Sequence, residues 1–131
     1  MKDKLFPLIL TSDLEKTKAF YQDTLGCELS VDVPEYLQVR FAGQGQPELC
    51  FMLPKPVFGV EAQPFGGQGL IVSIPVADPD AEHRRLAAKG VTILSEPTDR
   101  PWGWRSFLCR DPNGVLLDFF REKAQADAAN A

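Results

Sequence analysis

The chain is 131 residues long, 44% hydrophobic, 24% charged and 10% aromatic, which fits one globular domain, or two very small half-domains, and excludes a disordered chain. At this length roughly two-thirds of the unfolded surface can be buried, enough for a core that needs neither disulfide nor structural metal. Fourteen Lys and Arg against 18 Asp and Glu give a net charge of -4, so no basic platform exists for nucleic acid or an anionic membrane, and neither is expected as a partner.

Met1-Lys2-Asp3-Lys4 leads into six mostly apolar residues, 5–10. These are too few for a signal-peptide core or a membrane span, and a cytoplasmic protein is expected. They read instead as a buried strand. Thr11-Ser12-Asp13 follows with helix-capping chemistry, Ser12 or Asp13 being the expected N-cap. Leu14, Thr17, Phe20, Tyr21 and Leu25 then recur at helical spacing up to Gly26 as a C-cap. Strands are expected over 28–33, 36–41 and 48–53, separated by Pro34-Glu35 and the turn-rich 42–47. Cys27, Cys50 and Cys109 are odd in number and show no C-x-x-C spacing, the pattern of reduced thiols.

Residues 54–68 carry Pro and Gly without usable periodicity and read as a connection between halves, with Phe58 and Phe65 able to reach a second subunit or close over a pocket. The pattern then repeats: a strand over 70–76, the capping run Ala77-Asp78-Pro79-Asp80, a helix to Lys89 with Gly90 as stop, and strands over 91–94, 104–110 and 115–121. Asp78 follows Asp13 by 65 residues and Gly90 follows Gly26 by 64, as counted along the sequence. That spacing identifies an internal duplication, with modules of about 5–53 and 69–121 in a single domain spanning 1–131. The expected class is α+β: two tandem βαβββ modules forming a curved, partly closed mixed sheet around a shared cavity. The Ala-rich tail, 123–131, has no apolar stripe and is expected to fray.

Phe6-Pro7-Leu8-Ile9-Leu10-Thr11-Ser12-Asp13, with Ala19-Phe20-Tyr21 running to Gly26, resembles the opening of vicinal oxygen chelate proteins. Pro101-Trp102-Gly103-Trp104-Arg105-Ser106-Phe107, followed by Asp111-Pro112-Asn113-Gly114 and Leu116-Leu117-Asp118-Phe119, resembles their closing hairpin. That superfamily includes glyoxalase I, extradiol dioxygenases and bleomycin-resistance proteins, and its members usually dimerise. Its enzymes hold a divalent metal with three or four side chains at equivalent strand positions. The resemblance places Phe6, Glu48, Ile71 and Asp118 at those positions. Phe6 and Ile71 have no lone pair to give, and Glu48 with Asp118 alone does not define a catalytic site. No cofactor is therefore expected, the weaker alternative being a divalent metal held loosely by Glu48 and Asp118. The only His, His83, lies on the second helix, where it is expected to pack rather than ligate.

Strand alternation in register with these four positions puts Phe6, Leu8, Leu10, Glu48, Cys50, Met52, Ile71, Ser73, Trp104, Ser106, Leu108, Leu116, Asp118 and Phe120 on the cavity face. An inward carboxylate is costly unless paired or functional, and Arg40 or Arg105 is the expected pairing partner. Trp102, Trp104 and Arg105 could stack on a planar ligand or bury a subunit contact, while Trp102 could instead plug a sheet edge. Asp111 to Gly114 reads as a turn without chemistry. The expected function is a small-molecule-binding protein of the bleomycin-resistance type, a homodimer that sequesters an aromatic or cationic ligand. The alternatives are a glyoxalase-I-like metal-dependent lyase or isomerase, and a metal-free enzyme with Glu48 or Asp118 as general base.

Overall fold

The computed structural model describes residues 4–43, 45–54 and 62–123. The chain is α+β and divides into two compact units, Met1–Gln68 and Gly69–Ala131, each with one mixed sheet. Residues 55–61 of the 54–68 connection, Phe58 among them, and residues 124–131 of the tail lie outside the described residues.

The first unit runs β1 (Leu8–Leu10), α1 (Leu14–Ala19), a π-helical turn (Phe20–Thr24), β2 (Glu28–Val33), β3 (Tyr36–Arg40) and β4 (Glu48–Met52). The strand order is β1-β4-β3-β2, with β1 parallel to β4 and the other pairs antiparallel. β1 begins three residues later than the apolar run suggests. Pro7 has no N–H to give a ladder, although its carbonyl still accepts from Cys50 N–H at 3.0 Å, and Leu5 is fully exposed. Asp13 is the N-cap, its Oδ1 accepting from Lys16 N–H at 2.9 Å.

The single expected helix instead widens after Ala19. Leu25 N–H reaches back five residues to the Phe20 carbonyl, and Cys27 N–H reaches back six to that of Tyr21. The second of these bonds requires Gly26 in the left-handed region, where its φ is 80°.

The second unit runs β5 (Ile71–Pro75), α2 (Pro79–Ala88), β6 (Thr92–Ile93), β7 (Thr98–Asp99), β8 (Trp104–Arg110) and β9 (Leu116–Glu122). The order is β5-β9-β8-β6, with β7 also on β8 and β5 parallel to β9. Asp78 caps α2 by accepting from Ala81 N–H at 3.2 Å, with Pro79 in the first turn. The expected strand 91–94 is only two residues long, and β7 is an addition to the expected pattern. Both pair with β8; the interruption falls at Leu94 to Pro97, where Leu94 and Ser95 N–H groups share the Leu108 carbonyl and Pro97 has no N–H to offer.

Each sheet has one face covered by the helix of its own unit and an opposite face, here termed open, that no helix among the described residues of its unit covers. The covered faces carry Ile9, Leu37, Val39, Leu49 and Phe51 in the first unit, against Thr17 and Tyr21. In the second they carry Ile74, Phe107, Cys109, Leu117 and Phe119, against Leu86; all are buried. Tyr21 meets Phe41 edge-on and Phe51 at a tilt, and His83 meets Phe107 edge-on at 5.3 Å, so His83 packs as its position on the helix implies. Burial of each large apolar side chain contributes roughly 1.5–3 kcal/mol. The turn at Asp111 is as expected: Oδ1 accepts from Asn113 and Val115 N–H, both at 2.8 Å.

Candidate functional site

The side chains singled out from the sequence fall mostly on the open faces, because a period of two fixes which residues share a face once one is placed. In the first unit the register pairs Leu8 with Cys50, Leu10 with Met52, Gln38 with Cys50 and Arg40 with Glu48. Phe6 precedes β1 and is half-buried. Cys50 and Met52 are buried.

Glu48 is the centre of a polar cluster on this face. Its Oε1 accepts from Ser30 Oγ at 2.9 Å and Gln38 Nε2 at 2.8 Å, and its Oε2 from Lys4 Nζ at 3.2 Å. Gln38 Oε1 in turn accepts from Tyr36 Oη at 2.7 Å. These donors, the Gln38 amide foremost, hold the Glu48 carboxyl below its ordinary range despite burial. Burial pushes the Tyr36 hydroxyl and the Cys50 thiol upward. Arg40, one expected partner, pairs with Glu28 at 3.3 Å instead; Lys4 supplies the cation. Gln38 and Tyr36 were accessible to counting by two along the expected strand 36–41. Ser30 was not, because it sits where the β2–β3 register shifts, and no local signal joins Lys4 to Glu48.

In the second unit Ser73 stands opposite Asp118, Asp118 opposite Leu108, and Phe120 opposite Ser106. Asp118 is 7% exposed and accepts from Ser73 Oγ at 3.0 Å. Ile71 and Leu116 share the same face, and Ile71 is exposed. Trp104 stacks on Phe120 with centroids 3.9 Å apart and planes 15° from parallel. Trp102 meets Trp104 edge-on at 6.4 Å. Trp102 is 63% exposed, so it does not plug a sheet edge.

Arg105 departs from its expected role. It pairs across β8 and β9 with Arg121, on the opposite face from Trp104 and Ser106. Its guanidinium forks onto Asp80 of α2 at 2.8 and 2.9 Å and reaches Asp99 at 3.0 Å. That bidentate bond holds the Asp80 carboxyl below its ordinary range and ties α2 to the β7–β8 hairpin. Arg105 is thus the partner of neither Glu48 nor Asp118.

Each carboxylate is engaged by protein donors of its own unit. Both oxygens of Glu48 are engaged, one by an ammonium, and Asp118 is engaged by a hydroxyl. Among the described residues no three His, Cys, Asp or Glu converge. A groove of about 230 Å³ between α1 and the β2–β3 turn is lined by Leu14, Glu15, Lys18, Asp32, Val33, Pro34 and Leu37. It includes none of the candidate site residues named above, and the Lys18–Asp32 pair at 3.0 Å joins its walls. Among the described residues no helix is long and apolar enough to cross a membrane.

This arrangement, with the first strand of each sheet parallel to the last and one helix on the covered face, is matched by known proteins. The family model for the glyoxalase/bleomycin resistance protein/dioxygenase superfamily matches residues 6–119, and the chain belongs to that superfamily. Among solved structures it is 31% identical to a glyoxalase/bleomycin resistance protein from Streptomyces sp. CB03234, with 88% of this chain and 96% of that one covered and a TM-score of 0.67. It is 30% identical to TnmS3, an antibiotic binding protein from the same strain, covering 91% and 94% with a TM-score of 0.68. A glyoxalase/bleomycin resistance protein/dioxygenase from Nocardioides is 26% identical, covering 92% and 83% with a TM-score of 0.73. No curated protein matches the chain.

Proposed function

We propose that this protein binds a small planar aromatic molecule, without metal and without transforming it, as a homodimer of the antibiotic-binding type. The observation that carries this reading is the Trp102–Trp104–Phe120 array on the open face of the second sheet, beside the Asp118–Ser73 pair. A large exposed indole next to a stacked pair offers a flat apolar surface to a ring, and a nearby carboxylate meets a donor on the same molecule. The likeness to TnmS3, an antibiotic binding protein, supports a small-molecule-binding role. The polar cluster of the first unit favours binding over general-base chemistry at Glu48. A general base working near neutral pH needs a raised pKa, whereas the Glu48 carboxyl is held low.

The chain has two Trp, both in the array, so intrinsic fluorescence reports directly on it. Titration with planar quinones is expected to quench the emission saturably, and Trp102→Ala is expected to weaken binding about tenfold or more, in line with one lost aromatic stack. Chelator treatment is expected to leave the affinity unchanged. Saturable binding that appears only with added Zn²⁺, Mn²⁺ or Ni²⁺ would overturn the metal-free reading, and failure of every planar compound to quench would overturn the site.

A further inference from the structure

We infer that Arg100 is an anion-recognising residue of this site, so that the ligand carries a carboxylate or ionised phenol beside its aromatic ring. The inference rests on the binding reading above and deepens it. Arg100 follows β7 and stands opposite Trp104, its N–H donating to the Trp104 carbonyl; Thr98, two residues earlier, pairs with Ser106. Its side chain therefore belongs to the face that carries Trp104, Ser106 and Phe120.

The guanidinium is held in place on one side only. Nε donates to Ser106 Oγ at 2.9 Å, and Nη2 to the Ser106 carbonyl at 3.2 Å and Ser95 Oγ at 3.3 Å. Ser106 is fully buried, so the anchor is rigid. Nη1, which carries two of the five N–H groups of the side chain, makes no hydrogen bond with a described residue. The other half-buried arginines, Arg40, Arg85 and Arg105, each have a carboxylate within 3.3 Å. Arg100 has none among the described residues. A half-buried guanidinium oriented by three neutral acceptors, with a free edge beside an aromatic stack, is a built receptor for an anionic oxygen. Asp118 precedes Phe120 by two residues on β9, about 7 Å along the strand. The face that carries the stack thus holds both a cation and a carboxylate, and the ligand's own charges are expected to complement them.

The test compares two probes of equal ring system, anthraquinone-2-carboxylate and 2-(hydroxymethyl)anthraquinone, by quenching of tryptophan emission. The wild-type protein is expected to bind the carboxylate about tenfold more tightly, the size of one charged hydrogen-bond contact. In Arg100→Gln the ratio should fall to near one, and Arg100→Lys should keep part of it. Because Arg100 also ties Ser95 to Ser106, a Gln variant that fails to fold is replaced by a measurement on the wild type. Raising NaCl from about 0.02 to about 0.5 M should shrink the ratio through screening. A ratio near one in the wild type, a ratio unmoved in folded Arg100→Gln, or a salt-independent ratio overturns the role of Arg100 while leaving aromatic binding standing. No quenching by either probe overturns both.

Discussion

Glu48 shows how a residue can be legible by position and illegible by partner. Its place on an inward strand position follows from the motif and from alternation, yet the residues that decide its chemistry come from three separate segments: Lys4, Ser30 and Gln38. A carboxyl held below its ordinary range in the folded state stabilises that state above the ordinary range and loses the contribution as pH falls through it. Glu48→Gln is therefore expected to be about 1–3 kcal/mol less stable than wild type at pH 7, since it leaves donors facing an amide. The gap should narrow progressively as pH falls below the ordinary Glu range of about 4 and Glu48 takes up its proton. Urea unfolding across that range checks this; a gap independent of pH would mean that the loss is one of packing alone. Arg105 illustrates the opposite error. Its neighbours Trp104 and Ser106 face the open side, but a single step along a strand reverses direction, and Arg105 is drawn to Asp80 and Asp99.

Among the elements of the described residues, both α-helices and six of the nine strands stand close to where periodicity and capping put them, because those signals are local. Asp13 and Asp78 each leave a carboxylate oxygen to meet an orphan N–H, and both runs end at a Gly that must turn left-handed. Gly90 has φ of 81° and open space where a Cβ would stand, so the cost of Gly90→Ala is one of backbone strain alone. A loss of about 1–2 kcal/mol is expected, with Gly90→Asn recovering part of it, as measured by chemical unfolding. An Ala variant as stable as wild type would show that the turn relaxes to another geometry. The π-turn after α1 and the short β7 were not legible. The first is a choice between i→i+4 and i→i+5 bonding made by the packing of Tyr21 among Phe20, Phe41 and Phe51. The second depends on which bonds β8 can still accept on either side of Pro97.

At the scale of the whole chain, the two units carry the same order of pairing, first strand against last and last against the one before it. This is the form in which the 65-residue spacing of the caps appears in space. Binding to the folded state alone raises stability by mass action. A planar probe at 100 times its Kd is expected to add about 2.7 kcal/mol, a rise in Tm on the order of 10 °C for a chain of this size. The rise should survive chelator. A rise that requires metal would return the lyase or isomerase reading to the front.

The sequence by itself determined the class, the duplication, the caps and the face on which most of the site residues lie. Each of these follows from short-range periodicity and from residue types that permit few backbone conformations. The partners of each charge were decided by tertiary structure alone. Whether Glu48 meets Lys4 or Arg40, whether Arg105 or Arg100 attends the aromatic stack, and whether Trp102 is covered or bare all depend on segments distant in the chain. Hydrogen bonds between such segments form only when their donors and acceptors are brought within about 3 Å, and no period in the sequence encodes that approach.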